Sequence, residues 1–296
     1  MRNRGIRAVR EHLAKLPPAE SLTIEEQRAQ YDRAEKAFPI PPDIKVETVR
    51  APVAPAEWLR PPSAQGGVVV LYLHGGGYVI GSPRSHRHLA AAIASASGAS
   101  ALLLDYRLAP EHPFPAAVED AVAAYRWLLE RGVAPGRVAV AGDSAGGGLT
   151  LAALLALREG GVPLPAAAVC ISPWVDLTLR GASYATKAAS DPIVRRDGVA
   201  RMAKAYLGDA DPKTPLASPL YADLHGLPPL LLQVGGEEVL LDDSVGLAER
   251  AKAAGVEATL EVWEEMVHVW PWFLPMLDEA QAAIDRIGVF ARSRLC

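Results

Sequence analysis

Residues 137–160 read RVAVAGDSAGGGLTLAALLALREG. A short apolar run, RVAVAG, ends on glycine, and within a few residues the pattern becomes a long alanine- and leucine-rich stretch. This is a strand entering a sharp turn that opens a helix. The same rhythm recurs on both sides. The runs VVVLYLH (68–74), ALLLDY (101–106), AAAVCIS (166–172), LLLQVG (230–235) and ATLEVWE (258–264) alternate with SHRHLAAAIASAS, AAVEDAVAAYRWLLERG and DDSVGLAERAKAAG. Continuous apolar strands alternating with helices predict a parallel sheet covered on both faces. Right-handed crossovers then make it doubly wound. Sheets of this kind bind ligands at the carboxyl ends of their strands, so the residues just after each run are the ones to inspect.

Three segments depart from the rhythm. Residues 1–45 are charged and helical in spacing, with Ser21 and Thr23 as candidate helix caps. The stretch IPPDIKVETVRAPVAPAEWLRPP is proline-broken and reads as edge strands. Residues 176–218 contain no strand run and one clear helix, near 198–207. An insert after a strand end would sit over the mouth of the sheet, so 1–45 and 176–218 are expected to form a helical cap. The catalytic part is then 46–175 together with 219–296. The bland alternative is a surface excursion.

The chain has 296 residues, half of them apolar, and a net charge of −4. That is the balance of a globular protein with enough chain for a deep pocket. A near-neutral charge with no Lys/Arg run gives no electrostatic case for nucleic acid. The start, MRNRGIRAVREHLAKLPP, lacks the apolar stretch of a signal peptide. No apolar run is long enough for a bilayer span. Two cysteines make no disulfide framework. Cys170 is expected to be a buried thiol and Cys296 a frayed end. These features together predict a cytoplasmic protein with no membrane partner.

GDSAG occupies 142–146. A chain of this composition should hold roughly 0.1 chance matches to G-x-S-x-G, so the motif informs mainly through its strand–turn–helix setting. That setting puts Ser144 at the tip of a strained turn, its hydroxyl above the sheet, with glycines where a Cβ would clash. The competing reading is a helix N-cap serine. HGGGY (74–78) follows the strand VVVLYL. Its glycines leave backbone N–H groups able to approach a ligand, and two of them with the N–H of Ala145 could hold an oxyanion. A phosphate cradle is disfavoured because no GK[ST] follows.

HGGGY, DYRLAPEHPFPAA (105–117) and GDSAGG (142–147) together resemble the recurring blocks of the α/β-hydrolase esterases related to hormone-sensitive lipase, in the same order. The resemblance spans about residues 65–295. It implies an α/β-hydrolase fold, with a mostly parallel sheet of about eight strands. It also implies ester hydrolysis by a serine–histidine–acid triad without cofactor or metal, and an oxyanion hole at Gly75, Gly76 and Ala145.

A serine needs an adjacent base, and chain order in this fold is serine, acid, histidine. Of seven histidines, His268 follows the serine and lies near the end of the last strand, where it matches the family's catalytic histidine. His74 is expected to brace the glycine loop. His86 and His88, two apart on a helix, make a poor metal pair. The acid should follow LLLQVG, which leaves Glu237, Glu238, Asp242 and Asp243; the last two also suit a helix start. The family's acid position falls on Glu238, a glutamate where aspartate is usual, with Asp242 and Glu237 still open. Asp105, Arg107 and Glu111 are read as a charge network fixing the loop beside HGGG, and Asp143 as a brace for the serine turn.

Tyr78, Trp174, Tyr184, Met202, Tyr206 and Trp270 are candidate pocket walls, each equally readable as packing. The resemblance implies a small-molecule ester of short to medium acyl chain. A lactone hydrolase with the same triad is the nearest alternative. A ligand-binding receptor of this family would lack the histidine. Relatives often pair through the last strand and helix, so a homodimer is open.

Overall fold

The computed structural model describes residues 4–52 and 54–295; Cys296 lies outside them. Among the described residues eight strands form one sheet: β1 (Lys45–Arg50), β2 (Pro55–Arg60), β3 (Val69–Leu73), β4 (Ser100–Leu104), β5 (Val138–Asp143), β6 (Ala167–Ile171), β7 (Leu230–Gly235) and β8 (Ala258–Trp263). Their order is β1-β2-β4-β3-β5-β6-β7-β8. β1 and β2 pair antiparallel at one edge, and every pair from β4 to β8 is parallel. The proline-broken segment is therefore an edge. The apolar runs are central, and β3, β5, β6 and β7 are buried at every residue.

Side chains alternate across the pleat, so β3 feeds two cores. Val70 and Tyr72 face Leu89 and Ile93 of one helix and Ile284 and Ile287 of another. Val69, Leu71 and Leu73 face the side where Ala121, Tyr125 and Leu149 pack. The helices involved, in chain order after α1 (Arg4–Leu13), α2 (Ile24–Tyr31) and α3 (Ala34–Ala37), are α4 (Pro83–Ser97), α5 (Ala116–Glu130), α6 (Ala145–Glu159), α7 (Ser183–Thr186), α8 (Arg196–Leu207), α9 (Leu241–Ala253) and α10 (Asp278–Arg292). α4 and α10 cover one face, while α5, α6 and α9 cover the other. Cys170 is a buried free thiol, and burial pushes it up to about 12.

The N-terminal helices and the 176–218 segment both pack on turns at the carboxyl ends of strands. α2 is held there by Arg28, which donates to the carbonyls of Val79 (2.8 Å) and Ala109 (3.0 Å) and pairs with Glu111 (2.7 Å). A capping box between Thr23 and Glu26 starts that helix. Ile6 and Val9 of α1 bury against Met266, Val267 and Trp270. From α8, Tyr206 stacks on Tyr78 at 3.8 Å. The expected mutual network of Asp105, Arg107 and Glu111 is not formed. Arg107 instead binds Asp120 of α5 (2.7 Å), and Glu111 binds Arg28. Two of the three charges thus find partners on helices outside the block, Arg107 on α5 and Glu111 on α2. Among the described residues Asp105 has no cation paired with it, and burial with the charges of Asp32 and Glu57 raises its carboxyl to about 6.

Candidate active site

The β5–α6 turn holds Ser144 at φ 52°, ψ −121°. That left-handed φ is unusual for a residue with a Cβ. It persists because the backbone is pinned: the Ser144 N–H donates to Ile171 O (2.8 Å), and its carbonyl accepts from Trp174 N (2.9 Å) and Gly148 N (3.1 Å). A methyl on Gly142 would strike the carbonyls of Gly146 and Leu73, and one on Gly146 those of Leu73 and His74. Both glycines of the motif are thus needed for backbone to approach backbone.

His268 follows β8 in a turn whose flanking residues Glu265 and Val269 also have positive φ, 61° and 49°. Its Nε2 lies 2.9 Å from Ser144 Oγ, and its Nδ1 lies 2.6 Å from Glu238 Oε2. Glu238 is fully buried, and its second oxygen accepts from the Gly235 N–H (2.5 Å) and the Ser172 hydroxyl (2.7 Å). Burial pushes the His268 imidazole down, but the charge and hydrogen bond of Glu238 outweigh it. With added fields from Asp191 and Asp143, its affinity for a proton ends above the ordinary value.

The other acids do not reach the imidazole. Glu237 pairs with Lys187 (3.5 Å). Asp242 accepts from Ser183 N (2.9 Å), and buried Asp243 accepts from Val175 N (3.0 Å) and Asp176 N (2.9 Å). Both acids lie in the first turn of α9, as a helix start predicts, and there they also tie that helix to neighbouring segments. Burial holds the Asp243 carboxyl well above its usual range.

The glycine turn departs from expectation at Gly75. Its N–H donates to Asp143 Oδ1 (3.1 Å), so this amide is spoken for. The same oxygen accepts the Tyr72 hydroxyl (2.7 Å), and Oδ2 lies 3.3 Å from His86 Nε2. Asp143 thus braces the neighbouring glycine turn; none of these contacts is made to the serine turn itself. Among the described residues the amides of Gly76, Gly77 and Ala145 have no acceptor. Gly76 and Gly77 hold φ of 116° and 61°. Gly77, absent from the expected set, thus has an amide without an acceptor, whereas the amide of the expected Gly75 is engaged. The signal was present in the third glycine of the block, but the Asp143 contact that decides between them is tertiary.

His74 is buried, stacks on Tyr106 at 4.2 Å and engages the Gly75 carbonyl through Nδ1 (2.8 Å). Burial lowers its pKa to about 3, so it stays neutral. His86 turns toward Asp143 and His88 toward the Trp272 carbonyl (2.8 Å).

Four of the six candidate wall residues, Tyr78, Trp174, Tyr184 and Tyr206, are buried together in the core beside the serine turn. Met202 of α8 is half-buried against them, its sulfur lying where a Gly77 Cβ would be. Trp270 does not belong to this group. It packs in the separate cluster of α1 and α10, with its indole N–H on Glu279 O (3.3 Å), because the left-handed Val269 turns the chain away after His268. Sequence reasoning missed Ser172 and Asp191. Ser172 sits just past β6, a position the sheet rule marks for inspection; Asp191, within the insert, carried no signal.

A family model described as the alpha/beta hydrolase fold matches residues 70–271. A crystal structure of an esterase from the bacterial hormone-sensitive lipase family superposes with a TM-score of 0.94 at 54% identity, covering 99% of this chain and 97% of the other. The chain belongs to this family of α/β hydrolases. An acetyl-hydrolase of Streptomyces hygroscopicus is 55% identical over 273 residues, 91% of this chain and 90% of that protein. An esterase of Acinetobacter venetianus is 33% identical over 267 residues, 90% and 88% of the two chains. No helix among the described residues is long and apolar enough to cross a membrane.

Proposed function

We propose that this α/β hydrolase is a carboxylic ester hydrolase that works through Ser144, His268 and Glu238 and a covalent acyl-enzyme. The observation that carries the reading is the chain of contacts from Ser144 Oγ to His268 Nε2 (2.9 Å) and from His268 Nδ1 to Glu238 (2.6 Å). Ser144 Oγ attacks the ester carbonyl while His268 Nε2 accepts its proton. Glu238 holds the imidazole in the required tautomer and stabilises its protonated form. The tetrahedral oxyanion rests on the free amides of Gly76, Gly77 and Ala145; one such donor is typically worth about 10²–10³ in rate. His268 then protonates the leaving alcohol, and water attacks the acyl-enzyme with the same proton path.

The N-terminal helices and the 176–218 segment act as a cap over this site. The Tyr78–Tyr206–Trp174 cluster and Met202 limit the acyl group to short or medium chains. Hydrolysis of p-nitrophenyl butyrate by the wild type, and its loss in Ser144→Ala, tests the reading. Turnover unchanged in that variant removes it.

A further inference from the structure

The loop that carries Glu238 is held from outside the sheet. Asp191, in the insert between β6 and β7, is 2% exposed. Its Oδ1 accepts from the N–H groups of Ile193 (2.8 Å) and Val194 (2.9 Å), as a local turn requires. Its Oδ2 is not needed for that turn and accepts instead from the N–H of Val239 (2.9 Å), the residue after Glu238. On the other side of Glu238, the Ser190 hydroxyl donates to the Glu237 carbonyl (3.2 Å), and Lys187 pairs with the Glu237 side chain (3.5 Å). Arg10 of α1 steadies this strap by donating to the Ser190 carbonyl (2.9 Å). A buried carboxylate is costly unless each oxygen is answered, and here three amides answer it.

We infer that Asp191 is a positioning residue for ester hydrolysis: it fixes the backbone beside Glu238 and so the carboxylate that holds His268. The inference rests on the triad reading above. His268 is faced by Glu238 at Nδ1 and by the hydroxyl of Ser144 at Nε2, with Asp191 and Asp143 as the further carboxylates that act on it. Two cations of the strap are engaged within it, Lys187 with Glu237 and Arg10 with the Ser190 carbonyl. Burial raises the Asp191 carboxyl itself, against the opposing pull of His268 and its three amides. The insert therefore does more than wall the pocket: it sets the acid half of the triad.

The test is Asp191→Asn, with Asp191→Glu as the charge-retaining control. In Asp191→Asn the amide nitrogen or a flipped side chain sets donor against donor at Val239 or at the turn. Misplacing a catalytic group by a fraction of an ångström costs about 10- to 100-fold, so kcat should fall by that much with KM within about twofold. With one carboxylate fewer, the imidazole deprotonates more easily, so the acid limb of the kcat profile should move to lower pH. Asp191→Glu should leave that limb where the wild type has it. A folded Asp191→Asn variant, verified by near-UV circular dichroism, with wild-type kcat and an unmoved limb overturns the inference. If Asp191→Asn does not fold, the double variant Lys187→Met/Ser190→Ala loosens the same strap from its more exposed side; a several-fold fall in kcat supports the inference and a wild-type kcat overturns it. Turnover retained in Ser144→Ala would instead strike the triad reading, a separable outcome.

Discussion

The hydroxyl of Ser172 donates to Glu238 Oε1 (2.7 Å) while its oxygen accepts the N–H of Val269 (3.0 Å). One buried serine thus fixes both the acid and the residue after His268. It does so from a left-handed backbone, φ 46°. Ser172→Ala leaves an amide and a carboxylate oxygen short of a partner in a buried site, worth about 1–3 kcal/mol. The expected result is a lower thermal midpoint and a fall in kcat of about tenfold at little changed KM. Steady-state kinetics with chemical denaturation checks both.

Glu238→Gln removes the charge that holds the His268 proton affinity above the ordinary imidazole value. Its acid limb in kcat/KM should move to lower pH, with kcat reduced on the order of 10³–10⁴ as for other misoriented triads. Asp242→Asn and Glu237→Gln should leave that limb in place. The stability consequence has a definite sign. A raised folded pKa contributes stability that is fully present below the unfolded value of about 6.5 and is lost as pH rises through the folded value. The difference in melting temperature between wild type and Glu238→Gln should therefore narrow from pH 6 toward pH 9.

Gly76 and Gly77 should respond differently to a methyl. At Gly76, φ 116° and the Ile80 carbonyl leave no room, so Gly76→Ala should lose folded protein or activity outright. At Gly77 the obstacle is the Met202 side chain, and the left-handed backbone costs only about 1–2 kcal/mol. Gly77→Ala should be strongly impaired, and Met202→Ala in the same chain should restore part of kcat. No rescue in the double variant would contradict the packing described for α8.

Asp143 holds Gly75 and Tyr72 through one oxygen and faces His86 through the other. Asp143→Ala strands a buried amide and a hydroxyl, each costing about 1–3 kcal/mol. The glycine turn should loosen, so kcat should fall while the Ser144–His268 contact survives. Stoichiometric labelling by an organophosphate at a reduced rate would separate this outcome from loss of the nucleophile.

Much of this was legible in the sequence because the relevant signals are local. The run VVVLYL reads as a buried strand since both faces are covered. GDSAG reads as a strand-to-helix turn since its glycines are demanded by backbone approaching backbone. His268 was reachable from chain order. The remainder depends on contacts between distant segments. That the Gly75 amide is engaged and the Gly77 amide is not turns on where Asp143 points. Trp270 lies away from the serine turn because Val269 adopts a left-handed turn that no residue preference foretells. Arg107 and Glu111 pair with Asp120 and Arg28, which the sequence does not display as neighbours in space. Asp191 and Ser172 meet backbone amides and a carboxylate that only folding brings to them.

The central claim is that Ser144 Oγ becomes covalently bonded to the acyl group. Mass spectrometry of the intact protein and its peptides after reaction with diethyl p-nitrophenyl phosphate tests it most directly. The account predicts one diethylphosphoryl group per chain, on the peptide containing Ser144, with matching loss of esterase activity and no adduct in Ser144→Ala. A stoichiometric adduct on another residue, or full activity in a protein labelled at Ser144, would contradict it.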